Sequence, residues 1–259
     1  MRKECNTNTA VLIVSFGTTH LDTLENCISA TEQAIGNMFP GCAIYRAFLS
    51  NVVRKRLCSK YDLQVDTVEE ALERIIQDGY EQAVVQPTLV LGGIEYDLLT
   101  QKLDKEKRIR LFLGRPLLSN RKDCEDLAEI IITENPLKEQ ECLVLMGHGT
   151  DHVANEMYEK IQEIFLKKNY ACFIATVEGK PTFEDAVDSL KTRTFSRAKL
   201  LPLMFVAGDH AKNDMAGEED SLYTMVKDAG IDAECIIRGL GESKAVRSIY
   251  GKRALESMK

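Results

Sequence analysis

With 259 residues, 44% of them hydrophobic and 28% charged, the chain is long enough for one large or two medium globular domains, each with its own core. No apolar run approaches the roughly 18 residues needed to cross a bilayer, and the short polar start from Met1 to Thr9 has no secretory-signal character, so a cytoplasmic, membrane-free protein is expected. A formal net charge of -7 argues against nucleic acid as the main partner and leaves small anionic ligands open.

The first predicted element is a buried strand over 10–14, inside Val11-Leu-Ile-Val-Ser-Phe-Gly-Thr-Thr-His20, followed by a small-residue turn and a helix over 21–36. Strands over 42–48, 83–90 and 110–113 then alternate with helices over 67–78, 95–107 and 122–134. After the linker Asn135-Pro136-Leu137-Lys138 the plan starts again. Leu143-Val-Leu-Met-Gly-His-Gly-Thr-Asp-His152 repeats the opening motif: aligning Gly17 with Gly149 also matches Thr18 with Thr150 and His20 with His152. Strands over 142–146, 171–177, 198–206 and 233–237 alternate with helices over 152–168, 182–192, 218–229 and 243–257. Helix 152–168 is expected to bury Val153, Met157, Ile161 and Phe165 on one face.

Two further matches sharpen the repeat. Thr67-Val-Glu-Glu-Ala-Leu and Thr182-Phe-Glu-Asp-Ala-Val both read as capping-box helix starts. Pro87 matches Pro202 and Gly93 matches Gly208 at one common spacing, which is shorter than the spacing from Gly17 to Gly149. The first half therefore carries an expansion between its first loop and its capped helix. Apolar strands bounded by turns and alternating with helices predict an α/β fold of two similar domains, 1–135 and 136–259, each a roughly four-stranded parallel sheet flanked by helices. The final helix, 243–257, has no counterpart in the repeat and is expected to pack back on the first domain.

Eight cysteines are present, at positions 5, 27, 42, 58, 124, 142, 172 and 235, and no two form a C-x-x-C pair. Without a secretory signal they read as free thiols, which disfavours a cysteine-built metal site.

In open parallel α/β sheets, ligands sit outside the carboxyl ends of the strands. The two halves differ there. Phe16 is replaced by His148, Glu95 by His210, and Glu178 follows the strand whose first-half counterpart ends at Ala47-Phe48. Two imidazoles and one carboxylate form a sound ligand set for a divalent transition metal, and one without thiolate binds metal without trapping it. A lone histidine in a loop is more often a hydrogen-bonding group than a ligand; the case rests on three such residues at strand ends of one half. His20 and His152 occupy matching positions and read as structural. The glycine turns at Gly17 and Gly147/Gly149 match neither a dinucleotide fingerprint nor a Walker A loop, so phosphate binding is poorly supported.

At these residues the sequence resembles the anaerobic-pathway sirohydrochlorin cobaltochelatases of the class II chelatase family. The matching stretches are Val14-Ser-Phe-Gly-Thr18, Tyr45-Arg-Ala-Phe48, Met146-Gly-His-Gly149, Ala175-Thr-Val-Glu178, Leu201-Pro-Leu-Met-Phe-Val-Ala-Gly-Asp-His210 with Asn213-Asp-Met215, and Gly239-Leu-Gly-Glu242. The resemblance implies two α/β domains around a central cleft and metal binding by His148, Glu178 and His210. It also implies a lyase-class enzyme that inserts Co2+ into sirohydrochlorin or precorrin-2 on the early-cobalt route to cobalamin, with the divalent metal as substrate and no organic cofactor.

Insertion requires a held, partly dehydrated metal, a macrocycle close to it, and a base for two pyrrole N–H protons. His148 is the candidate base, because a neutral imidazole accepts protons near neutral pH. The tetrapyrrole is expected to meet the loop Ser15, Phe16, Gly17 and Thr18, with Arg46, Arg54 and Lys212 facing its carboxylates. For Arg54, within Arg54-Lys55-Arg56, the competing reading is a solvated helix face. Iron or nickel insertion, a non-catalytic metal or tetrapyrrole binder, and a phosphate-transfer enzyme are the rival readings. Homo-oligomerisation is compatible with the sequence.

Overall fold

The computed structural model describes residues 8–259; Cys5 and most of the polar N-terminal stretch lie outside them. All eight predicted strands are present, and they form two separate four-stranded sheets. In the first, β1 (Thr9–Ser15), β2 (Ile44–Phe48), β3 (Gln82–Pro87) and β4 (Arg110–Leu113) run in the order β2-β1-β3-β4. In the second, β5 (Glu141–Gly147), β6 (Cys172–Thr176), β7 (Arg197–Pro202) and β8 (Asp232–Cys235) run in the order β6-β5-β7-β8. Every neighbouring pair is parallel. The central strands β1 and β5 bury all of their residues, as expected of strands with helices on both faces.

The repeat extends to the register. Ser15 pairs with Phe48 and Val14 with Pro87; Gly147 pairs with Thr176 and Met146 with Pro202. Beyond the strands, Thr88 donates its N–H to Val14 O at 2.9 Å and Leu203 donates to Met146 O at 2.7 Å. The strands expected over 83–90 and 198–206 stop at Pro87 and Pro202: one more bond reaches the central strand, but a proline has no N–H to offer the strand on its other side.

The helix expected over 21–36 is continuous but not uniform: α1 (Leu21–Thr23) passes through a π-helical stretch (Leu24–Ser29) into α2 (Ala30–Gly36). The first-half expansion carries a helix that the strand-and-helix plan lacks, α3 (Asn51–Tyr61), capped by Ser50, whose hydroxyl accepts from Val53 N–H. Only Leu57 of α3 is buried, so there is no apolar stripe to announce it. Next come α4 (Val68–Gln77), α5 (Ile94–Lys105) and α6 (Arg121–Glu134). In the second half α7 (Glu156–Lys167) follows a 3-10 turn (Val153–Asn155), then α8 (Phe183–Lys191), α9 (Leu222–Asp228) and the terminal α10 (Lys244–Ser257). Both expected capping boxes form, at Thr67/Glu70 and Thr182/Asp185. The 3-10 turn shifts the buried stripe of α7 onto Tyr158, Ile161, Ile164 and Phe165, and leaves Val153 exposed.

The chain divides into one compact unit comprising the residues up to Leu117 together with Gly241–Lys259, and a second spanning Leu118–Leu240. The break falls at Leu117/Leu118 rather than at 135/136, because α6 packs against α7 and so belongs with the second sheet. Conversely α10 belongs with the first unit. Its buried Tyr250 donates to Leu89 O at 3.1 Å, and its buried Arg253 guanidinium donates to the carbonyls of Pro116 and Leu117. Each unit has its own core: Leu12, Val14, Leu72 and Val85 belong to the first, and Val144, Met146, Leu190 and Leu200 to the second.

Cys27, Cys58, Cys124, Cys142, Cys172 and Cys235 are free thiols as expected, whereas Cys42 is disulfide-bonded. Burial pushes Cys124 up to about 11 and Cys142 up to about 12, so neither offers a thiolate to a metal near neutral pH. Among the described residues no helix is long and apolar enough to cross a membrane.

Candidate metal centre

His148, Glu178 and His210 all lie in the second unit, beyond the carboxyl ends of β5, β6 and β7. The backbone around them leaves little freedom. Gly147 faces Tyr158: a Cβ there would stand 2.6 Å from the phenol ring carbon and oxygen. Gly149 has φ +84°, and a Cβ would fall 1.4 Å from the carbonyl oxygen of Glu178. The two glycines flanking His148 are thus demanded by close approach on both sides. Tyr158 is 2% exposed, and its burial pushes its pKa up to about 12 against the lowering effect of the backbone N–H groups of His148 and Gly149.

The backbone of Glu178 is locked to the same loop. Val177 N–H donates to Gly147 O at 3.2 Å and Glu178 N–H to His148 O at 2.8 Å. The first unit repeats these bonds, with Leu49 N–H on Ser15 O at 2.9 Å and Ser50 N–H on Phe16 O at 3.1 Å. The structural counterpart of Glu178 is therefore Ser50, not the Ala47-Phe48 region.

His210 immediately precedes a π-helical turn, Ala211–Met215; such turns are frequent at functional sites. Its ring meets that of His148 edge to face, with centroids 4.8 Å apart and planes at 88°. Each imidazole has one nitrogen occupied. His210 Nδ1 lies 2.7 Å from Asp214 Oδ2, and His148 Nδ1 lies 3.0 Å from Gly149 O. A carbonyl oxygen and a carboxylate only accept, so each Nδ1 carries the hydrogen and each Nε2 keeps its lone pair for a metal. His148 is exposed and the His210 side chain is 44% exposed, so both lone pairs are reachable.

Glu178 is exposed and does not complete the set: among the described residues no group of three or more His, Cys, Asp or Glu side chains is placed to hold a metal ion. The structure brings the two histidines together and ties the Glu178 backbone to one of them, and leaves the carboxylate outside the pair.

The residues expected to face the tetrapyrrole divide differently. Phe16 stands 47% exposed past the end of β1. Ser15, 1% exposed, bonds through its hydroxyl to Thr88 Oγ1 at 2.8 Å and is a structural residue. Gly17, at φ +105°, makes room for the Phe48 ring, and buried Thr18 accepts from His20 N–H at 3.2 Å. The same turn recurs where Thr150 Oγ1 accepts from His152 N–H at 3.2 Å, which accounts for the duplicated Thr-x-His as structure. Lys212 is half-buried within the π turn after His210.

Neither arginine is a ready carboxylate clamp. Arg46 is bidentate on Glu32, through Nε at 2.7 Å and Nη2 at 2.5 Å, and Nη2 also reaches Ser29 Oγ at 3.0 Å; these bonds raise its pKa. Arg54 donates to Val65 O at 2.6 Å, Asn51 Oδ1 at 3.1 Å and Glu70 Oε2 at 2.6 Å. In this structure their forks are taken by the protein's own acceptors.

Comparison with known proteins gives the family and the fold. A family model described as Cobalt chelatase (CbiK) matches residues 9–259. The chain is similar to a sirohydrochlorin cobaltochelatase of Salmonella typhimurium, with 34% identity over 245 residues covering 93% of each protein. It is also similar to the sirohydrochlorin cobaltochelatase CbiKC of Nitratidesulfovibrio vulgaris, with 28% identity over 251 residues covering 94% of this chain and 88% of that one. Among solved structures it resembles SirB from Bacillus subtilis with Fe3+, at a TM-score of 0.66 and 15% identity over 96% of this chain and 95% of that one. It likewise resembles the sirohydrochlorin chelatase SirB from Bacillus subtilis subspecies spizizenii in complex with cobalt, at a TM-score of 0.63 and 14% identity with the same coverage. At those identities the structural likeness speaks for the fold.

Proposed function

The chain belongs to the Cobalt chelatase (CbiK) family, and from that premise we propose that it inserts Co2+ into sirohydrochlorin, with His148 and His210 holding the incoming metal through Nε2 and Glu178 joining them once metal arrives. The observation that carries this reading is the edge-to-face contact of two imidazoles whose Nδ1 atoms are both engaged. Two neutral nitrogen donors hold a divalent first-row ion without the grip of a thiolate, which suits a metal that has to be handed on.

Insertion replaces two pyrrole N–H bonds by metal–nitrogen bonds and releases two protons. As the metal passes to the macrocycle, the freed Nε2 of His148 takes the two protons in turn and passes each to water. His148 suits the role because it is exposed, on a loop that the close contacts of its two flanking glycines hold in place. Glu178 stands on a backbone bonded to that of His148, which keeps its carboxylate on the neighbouring loop. No free arginine fork is assigned to the substrate carboxylates.

Anaerobic absorbance with sirohydrochlorin and, separately, Co2+, Fe2+ and Ni2+ tests the reading. Many equivalents of cobalt product per chain are expected, and His148→Ala is expected to abolish them while the protein stays folded. Product formation that stops near one equivalent would make the protein a binder, and faster turnover with iron or nickel would change the metal.

A further inference from the structure

Besides the two backbone bonds from Val177 and Glu178, one side-chain amide ties the loop bearing Glu178 to the loop bearing His148. Asn155 starts α7, yet its side chain makes no helix-capping bond. Instead its Oδ1 accepts the backbone N–H of Thr150 at 3.1 Å, and its Nδ2 donates to the carbonyl of Lys180 at 2.7 Å. One end of the amide grips the Gly-His-Gly loop and the other grips the Glu-Gly-Lys-Pro loop. The second loop is closed on itself as well, because the backbone N–H and the hydroxyl of Thr176 both donate to Pro181 O at 2.8 Å. Gly179, at φ +86°, sits under Thr150, where a Cβ would lie 3.3 Å from that residue's carbonyl.

We propose that Asn155 is a positioning residue for metal capture: its amide fixes the Glu178 loop against the His148 loop, so that the Glu178 carboxylate reaches an ion held by the two imidazoles. The inference rests on the reading of Glu178 as the third ligand. A carboxylate on an exposed loop loses conformational freedom when it binds, and a pre-tied backbone lowers that cost. Outer contacts of this kind typically change metal affinity about 10–100-fold when removed.

Asn155→Asp separates the two arms. The new side chain keeps the acceptor for Thr150 N–H but sets a carboxylate oxygen against Lys180 O. Cobalt binding to the full-length protein, followed with Co2+ alone by titration calorimetry, is expected to weaken about 10-fold. In turnover, KM for cobalt rises while kcat at saturating cobalt and KM for the tetrapyrrole stay within about twofold. A double-mutant cycle with Glu178→Ala supplies the readout that a merely structural role would not move: in the Glu178→Ala background Asn155→Asp is expected to cause no further loss. Wild-type cobalt affinity in Asn155→Asp, or an undiminished loss in the Glu178→Ala background, overturns the positioning role. Unchanged cobalt affinity in Glu178→Ala overturns the ligand reading itself, and so distinguishes the two failures. Should Asn155→Asp fold poorly, Asn155→Ser takes its place, since serine also suits a helix start but is too short to span both loops.

Discussion

At the ends of β1 and β5 the two units share a backbone and differ in chemistry. The same ladder bonds run from Leu49 and Ser50 to Ser15 and Phe16 in one unit, and from Val177 and Glu178 to Gly147 and His148 in the other. On this common frame the first unit carries an apolar ring, a helix-capping serine and an exposed Glu95, where the second carries His148, Glu178 and His210. The first unit closes its strand ends with the Ser15–Thr88 hydroxyl pair; the second has Gly147 and Leu203 at those positions and takes the bulk of Tyr158 instead. One copy of the plan keeps the fold's own contacts at its strand ends, and the other exchanges them for the proposed metal donors. A site can thus arise from a duplicated fold by changing side chains at three strand ends without altering the sheet.

The largest effect is expected from making the second unit resemble the first. His148→Phe puts the residue of the first unit on the same backbone, and removes both a proposed ligand and the proposed base. Cobalt insertion should fall by about 10²–10⁴-fold with little change in thermal unfolding, since His148 is exposed. Near-normal turnover would mean that the difference between the units has nothing to do with the chemistry.

The glycines test the same comparison through the backbone. Gly149→Ala drives a Cβ into the Glu178 carbonyl at φ +84°, whereas Gly17→Ala, at φ +105°, meets the Phe48 ring at 2.7 Å and Val53 at 3.0 Å, both side chains. Strain at positive φ costs about 1–3 kcal/mol in either case, and the backbone collision at Gly149 adds to it. Urea unfolding should show Gly149→Ala as the more destabilised, with cobalt affinity lost as well; equal losses would mean that the Glu178 loop yields easily. A smaller effect is expected from Asp214→Ala, about 10–100-fold in cobalt affinity, because it removes the partner of His210 Nδ1. The matching position in the first unit, counted from the alignment of Pro87 with Pro202, is the buried core residue Leu99. Asp214→Asn keeps an acceptor and should recover most of the loss.

Much of this is legible in the sequence, for reasons that can be named. Buried parallel strands are apolar and turn-bounded, and the repeated motif around Gly17 and Gly149 marks β1 and β5 directly, so the strands and the double plan follow from periodicity. His148 and His210 are legible because each replaces a different residue at a matched position. The counterpart of Glu178 is not, because the spacing from Phe48 to Thr176 falls between those of the two motif pairs, Gly17 with Gly149 and Pro87 with Pro202; only strand pairing identifies Ser50. Helix α3 escapes a sequence reading because a helix that buries one residue has no periodic signal. The arginines mislead for a related reason. Their charge and place are visible in the sequence, but Glu32 and Glu70 lie 14 and 16 residues away, on other elements that only folding brings near.

The smallest effect on activity is expected at Arg54. Its guanidinium joins α3 to the start of α4 by donating to Val65 O, Asn51 Oδ1 and Glu70 Oε2, and its side chain is 21% exposed. Replacing it leaves the Val65 carbonyl without its donor, while Glu70, more than half exposed, recovers its partner from water. Arg54→Ala should therefore lower stability by about 1 kcal/mol, read by urea unfolding, and leave KM for sirohydrochlorin unchanged. A several-fold rise in KM without loss of stability would mean that the fork leaves Glu70 for a substrate carboxylate. The first-half expansion would then be part of the binding surface, and the first unit would differ from the second by a substrate contact as well as by the absence of metal donors.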